Sequence, residues 1–347
     1  MSPLHFRRAL FIRLDRIGDL VLSLPTDQAL NIETVDWWIP RGLSFVTEHA
    51  QPLRKSREFG KTLSLLEAWK LARTVRQNAY DLAVVFHAPW WAGFVLWLAG
   101  VPVRVGVRSQ WHSFLFFNRG VRQKRSRAEC SELEYNFRLL EEGLGLASGS
   151  LPRSSLKLTA KTGRPAAAPS GEYYVVHPGM SGSALNWSTE SYAQLIERLD
   201  RPVVITGTAA DEAFLGPLRE RLRRLDVAVD DDVSVDVGEQ AKRPEIFWLD
   251  GKLTGAELIG LLAHARAVIA PSTGVMHLAA STGVPTLGIF SNVLVQRALR
   301  WGPHGARTAV VEPPYDCPAE ECMARISVDQ VLAKLRELIT DKNHGAT

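Results

Sequence analysis

The chain has 347 residues, 46% of them hydrophobic and 22% charged. That balance suits a soluble globular protein of two domains and excludes a disordered chain or a polytopic membrane protein. Its charge is unevenly divided: residues 1–165 carry 24 Lys and Arg against 14 Asp and Glu, and residues 166–347 carry 17 against 23, which points to an anionic partner for the first half.

In chain order, the apolar run Ala9–Leu14 predicts a buried strand. The loop Asp15-Arg16-Ile17-Gly18-Asp19 follows it, and then a helix that Pro25 shortens or kinks. The apolar stretch 82–103 is interrupted by His87, Pro89 and Pro102, so it reads as a strand over 81–86 and not as a membrane span. A strand over 103–107 comes next. Leu133, Phe137, Leu140 and Leu144 at helical spacing predict a helix over 130–146 that ends near Gly143 and Gly145. Residues 162–171, rich in Pro, Gly and Ala, read as a linker.

The second half repeats the alternation. A strand over 173–177 leads through a loop to a helix with Tyr192, Leu195, Ile196 and Leu199 on one face, and a strand over 202–206 follows. Thr254 and Glu257 form a capping box that opens a helix over 258–265. A strand over 267–270, a helix over 274–281 and a strand over 286–290 make a minimal βαβ unit. Ser327 and Gln330 cap a terminal helix that runs to Leu338. Two strand–helix halves predict an α/β protein with two parallel-sheet domains facing a cleft. Cys130, Cys317 and Cys322 cannot staple a chain of this length, so a cytoplasmic location is expected.

Several familiar motifs are missing. There is no G-x-G-x-x-G, G-x-S-x-G or H-E-x-x-H, and Gly60-Lys61-Thr62 lacks the upstream glycine of a P-loop. Cys317 and Cys322 have no second ligand pair, so neither a metal nor a bound cofactor is expected. Asp230-Asp231-Asp232 matches a metal-binding D-x-D only superficially and reads as a solvated turn. Three loops remain, each at the carboxyl end of a strand. In 13–19, Gly18 permits a tight turn, and Asp19 is either a helix cap or a functional carboxylate. Loops 177–188 and 271–277 carry glycines and hydroxyls into helix starts, where free N–H groups and the helix dipole favour a diphosphate.

Taken together, Ile12–Asp19, His177-Pro178-Gly179 with Asn186-Trp187, Pro271–Ala280 and Gly283–Phe290 resemble glycosyltransferase family 9, the ADP-heptose:lipopolysaccharide heptosyltransferases. The resemblance implies a GT-B fold of two Rossmann-like domains: an acceptor domain over 1–165, a nucleotide-sugar domain over 166–325, and a terminal segment 326–347 packing back toward the first. It also implies inverting, metal-independent transfer with Asp19 as general base. The donor-binding set is His177, Gly179, Ser181, Ser183, Asn186, Trp187, Asp211, Ser272, Thr273, Gly274 and His277. The acceptor-binding set is Arg16, Gly18, Arg122, Lys124 and Arg125.

The partners implied are a nucleotide sugar, ADP-heptose in the family, and a phosphorylated or lipid-linked glycan met peripherally at the inner face of the inner membrane. Trp90, Trp91, Trp97, Trp111, Phe114, Phe116 and Phe117 would suit sugar rings or acyl chains there. Two positions depart from the family: Leu185 stands where Lys is common, and Ser272 where Asp is frequent. A GT-B-like nucleotide-sugar epimerase and a non-catalytic binding homologue are the alternatives. Nucleic-acid binding is not expected, because the basic cluster Arg119–Arg127 accompanies no recognisable reading module.

Overall fold

The computed structural model describes residues 5–179, 182, 184–230, 243–319 and 321–341. The chain divides into two compact units, Met1–Thr159 and Ala160–Thr347.

The first unit contains strands β1 (His5–Arg13), β2 (Asn31–Pro40), β3 (Ala50–Gln51), β4 (Lys55–Phe59), β5 (Leu82–His87), β6 (Val103–Val107), β7 (Arg119–Val121) and β8 (Lys157–Leu158). Its helices are α1 (Ile17–Ser23), α2 (Ser44–His49), α3 (Leu65–Gln77), α4 (Trp90–Ala99), α5 (Trp111–Phe116) and α6 (Glu132–Leu144). The main sheet has the order β4-β2-β1-β5-β6-β7 with every pair parallel. Ala9, Leu10, Phe11 and Ile12 are fully buried, as a central strand covered on both faces requires. Helix α1 ends at Ser23, and the chain tightens into a 3₁₀ turn, Leu24–Ala29, that accommodates Pro25.

The second unit contains β9 (Tyr174–Val176), β10 (Val203–Ile205), β11 (Ile246–Trp248), β12 (Ala267–Pro271), β13 (Thr286–Ile289) and β14 (Thr308–Val311). Its helices are α7 (Thr189–Glu197), α8 (Glu212–Asp230), α9 (Gly255–Ala263), α10 (Gly274–Thr282), α11 (Ala298–Trp301) and α12 (Val328–Thr340). Its sheet, β11-β10-β9-β12-β13-β14, is again parallel throughout. With the two-residue β3 set aside, both sheets run third-second-first-fourth-fifth-sixth, the doubly wound order. Chain direction across the sheet reverses between β1 and β5 in one unit and between β9 and β12 in the other, and ligands bind at the carboxyl ends of such strand pairs.

The expected caps are present. Ser188 accepts from Ser191 N–H, and complete capping boxes open α9 (Thr254/Glu257) and α12 (Ser327/Gln330). The Pro- and Gly-rich stretch read as a linker begins just after the boundary between the two units; apart from buried Pro165 and Pro169 it is largely exposed, and Thr162 Oγ1 donates to the Ala256 carbonyl at 3.3 Å. A Cβ on Gly260 would lie 2.6 Å from the Gly163 oxygen, so only glycine admits that contact. Helix α12, expected to pack back toward the first domain, places Val331, Leu332, Leu335 and Leu338 in the second unit's own core. Among the described residues no helix is long and apolar enough to cross a membrane.

Candidate active site

The first loop leaves β1 at Arg13, whose guanidinium is buried. Arg13 Nε donates to Asp15 at 2.7 Å, its Nη2 donates to Asp19, and its Nη1 lies 3.6 Å from Glu132. Glu132, at the start of α6 and itself buried, also accepts from Arg125. Arg16, not Asp19, occupies the N-cap position of α1, and Asp19 is the third helical residue. The two sequence readings of Asp19 therefore separate: its carboxylate is spent on Arg13 and not on capping.

Two guanidiniums, Arg13 and Arg125, face three carboxylates, Asp15, Asp19 and Glu132. Burial pushes the Asp19 carboxyl up to about 6; Arg13 opposes the shift, while Asp15 and Glu132 add to it. Arg13 stays protonated because the same three carboxylates outweigh the cost of its burial. A carboxylate with a pKa close to neutrality is suited to taking a proton from a hydroxyl.

Asp15 and Arg16 open onto a cavity of about 740 Å³ in the first unit, lined also by Lys61, His87, Trp90, Gln110, Trp111 and His112. The cavity sits where the sheet order reverses: Leu14 N–H donates to the His87 carbonyl at 2.8 Å, joining the end of β1 to the end of β5. Sequence reasoning missed His87, Lys61, Gln110 and His112. Recognising β5 as the counterpart of β12 would have pointed to His87. Of the residues expected to bind acceptor, Arg16 lines this cavity, and Gly18 is a buried residue of α1. Arg122 and Lys124 are exposed. Arg125 is not part of an exposed cluster: its Nε and Nη2 donate to Gln123 Oε1 at 2.9 and 2.8 Å, beside its bond to Glu132.

In the second unit the loop after β9 is braced from within. Asn186 Nδ2 donates to the Pro178 carbonyl at 2.7 Å, and its Oδ1 accepts from Trp187 N–H at 2.9 Å. Trp187, expected among the donor contacts, is core: it is 1% exposed and its indole N–H is taken by the Ile326 carbonyl. His177 is buried, with Nδ1 3.0 Å from Thr206 Oγ1, and burial pushes its pKa down to about 4. Gly179 is required where it stands, since a Cβ there would lie 2.3 Å from the Asp211 carboxylate carbon. Asp211 in turn accepts from Thr208 N–H and Oγ1 at 2.9 and 2.7 Å. Ser181 and Ser183, together with Asp231 and Asp232, lie outside the described residues.

The loop after β12 offers a more open helix start. Thr273 is the N-cap of α10, yet its side chain makes no capping bond, and Thr273 Oγ1 is buried and unpartnered. One turn on, His277 is 3% exposed with Nδ1 unpartnered, and burial beside His304 pushes its pKa down to about 3. Ser272 and Gly274 are half-buried next to them. An unpartnered hydroxyl at the N-cap and an imidazole one turn on thus lie at the start of α10, the end of a helix where backbone N–H groups and the dipole favour an anion. Leu185, where a lysine would add charge, is 37% exposed. Among the described residues no group of three His, Cys, Asp or Glu side chains is placed to hold a metal ion.

A protein of Haemophilus influenzae, named no more specifically than a glycosyltransferase, is 25% identical over 94% of this chain and 95% of its own length. The family 9 glycosyltransferase of Veillonella parvula superposes with a TM-score of 0.75 at 17% identity, covering 98% of this chain and 99% of that one. The Escherichia coli ADP-heptose lipopolysaccharide heptosyltransferase II does so at 0.75 and 18%, covering 96% and 98%. These superpositions establish the GT-B fold of two Rossmann-like domains. The profile of glycosyltransferase family 9 (heptosyltransferase) matches residues 68–326, and the chain belongs to that family of glycosyltransferases.

Proposed function

We propose that this enzyme transfers a heptose from ADP-heptose to a hydroxyl of a phosphorylated or lipid-linked glycan of the lipopolysaccharide core, with inversion and without a metal. The observation that carries the reading is the open start of α10, where buried Thr273 Oγ1 and His277 Nδ1 lack partners beside free backbone N–H groups. A departing diphosphate gains negative charge, and fixed dipoles there stabilise it without a cation. The heptosyltransferase among the structural relatives supports ADP-heptose as donor.

The acceptor belongs to the first unit, whose cavity combines Arg16 and Lys61 with Trp90 and Trp111, groups suited to phosphate and to sugar rings. Asp19 takes the proton as the acceptor oxygen bonds to the anomeric carbon. The bond from that carbon to the diphosphate breaks, and its electron pair leaves with the nucleotide. Mass spectrometry of lipopolysaccharide-core acceptors incubated with ADP-heptose, or with GDP- and UDP-sugars, tests the assignment. A mass gain of one heptose from ADP-heptose alone, unchanged in EDTA, is expected. Conversion of the nucleotide sugar itself with no acceptor present overturns it in favour of an epimerase, and activity that EDTA abolishes and magnesium restores removes the metal-free mechanism.

A further inference from the structure

Arg122, Lys124 and Arg127 are exposed, but Arg125 between them is half-buried and turned inward. Its guanidinium is held on several sides. Nε and Nη2 donate to Gln123 Oε1, Nη2 also donates to Asn136 Oδ1 at 3.4 Å, and Nη1 donates to Glu132. Gln123 is fixed in turn, because its Nε2 donates to the Tyr135 carbonyl at 2.8 Å. Asn136, one turn along α6 from Glu132, donates to the Leu22 carbonyl at 3.0 Å and to Ser23 Oγ at 3.1 Å. Ser23 Oγ donates to the Asp19 carbonyl at 2.8 Å. The start of α6 is thus bonded both to Arg125 and to the helix that carries Asp19.

Glu132 has two cations within reach, bonded directly by Arg125 and 3.6 Å from Arg13. The Glu132 side chain is 1% exposed and that of Arg13 3%, so solvent screens neither charge. Without Arg125, Glu132 would draw on Arg13 alone, and Arg13 would be pulled from Asp19. As the first residue of α6, Glu132 stands where the helix dipole favours negative charge, so the next proton taken up by the cluster falls to Asp19. The other charges facing Asp19 are Asp15 and Arg16 of the preceding loop. Those on the elements packed against α1 are paired elsewhere, Asp27 with Arg54 at 2.7 Å and both Glu134 and Glu141 with Arg153. We propose that Arg125 is a positioning residue for the base: by holding Glu132 it keeps the Arg13 guanidinium on Asp19, and it does not touch the acceptor. This inference rests on the reading of Asp19 as base.

The test is the pH profile of transfer to a lipopolysaccharide-core acceptor from ADP-heptose, or from whichever GDP- or UDP-sugar the assay above selects. Arg125→Gln should move the acid limb of kcat/KM up by about one pH unit, with the acceptor KM on the plateau unchanged. In a Glu132→Gln background the same substitution should move nothing, because the residue through which it acts is gone. Arg125→Lys keeps the charge and should keep the wild-type limb. An unpaired Glu132 could unfold Arg125→Gln, which a melting curve reads. The lysine variant and the double variant R125Q/E132Q, which buries no lone charge, then carry the test: the first should match wild type and the second Glu132→Gln alone. A limb that stays in place in folded Arg125→Gln, or one that moves equally in both backgrounds, would overturn the inference. So would a plateau acceptor KM raised more than about threefold in the lysine or the double variant, since that marks an acceptor contact. Turnover retained by Asp19→Asn overturns the base reading itself, so the two failures are told apart.

Discussion

Arg13 and Asp19 are paired in the interior of the first unit, and the same guanidinium also serves Asp15 at 2.7 Å and Glu132 at 3.6 Å. Burial raises the Asp19 carboxyl, Asp15 and Glu132 add to the shift, and Arg13 opposes it. The pairing therefore fixes the position of Asp19 without fully suppressing its affinity for a proton.

Asp19→Asn should leave the fold intact, since the amide fits the same volume and Arg13 keeps Asp15 and Glu132. Loss of a general base lowers turnover by about 10²–10⁴-fold, with nucleotide affinity unchanged. Steady-state kinetics with calorimetric nucleotide titration measure both. A variant that keeps turnover within roughly threefold would assign the carboxylate to structure alone.

If Asp19 is the base it acts when deprotonated, so kcat/KM should rise with pH through about 6 and level off above it. Glu132 contributes negative charge that raises the Asp19 pKa. Glu132→Gln should therefore move this acid limb to lower pH, with the high-pH plateau less affected. An unmoved limb would mean that a group other than Asp19 sets the profile.

His177 and His277 are held neutral, at about 4 and about 3 against an unfolded value of 6.5. Below pH 6.5 the unfolded chain binds protons that the folded chain refuses. Each buried imidazole therefore costs about 1.4 kcal/mol of stability for every pH step of one below that value, until it too takes a proton. Asp19, raised from 3.8 to about 6, works the other way below pH 6. Two histidines outweigh one aspartate, and the thermal midpoint should fall between about pH 7 and pH 5. Affinity for a nucleotide sugar, whose diphosphate has no group titrating near pH 6, should stay flat from about pH 7 down to pH 5.5, because neither imidazole charges in that range. A midpoint that rises on acidification would contradict neutral, buried histidines.

Thr273→Val keeps the shape of the α10 N-cap and removes only its unpartnered hydroxyl. If that hydroxyl serves the diphosphate, the nucleotide Kd should increase about fivefold to tenfold while the thermal midpoint stays put. Calorimetric titration with ADP reads the first and a melting curve the second. Unchanged affinity would move the diphosphate away from this helix start.

What the residues determine locally could be read from their order. Ala9–Ile12 had to be a central strand because a continuous apolar run needs cover on both faces. Ser188, Thr254 and Ser327 mark helix starts because each bonds to a backbone group three residues away. The loops holding Asp19, His177 and Thr273 were recognisable because each follows a buried strand and leads into a helix.

Partnerships between distant segments were not legible. Nothing near Arg125 announces that it turns inward to Glu132, nor near Trp187 that its indole reaches the Ile326 carbonyl. The sequence alone determined which strands and loops exist, since short-range hydrogen bonds and burial patterns lie within a few residues. Tertiary structure alone decided that β5 lies beside β1 and brings His87 to Leu14. Strand order depends on contacts between segments more than seventy residues apart, which no local pattern encodes.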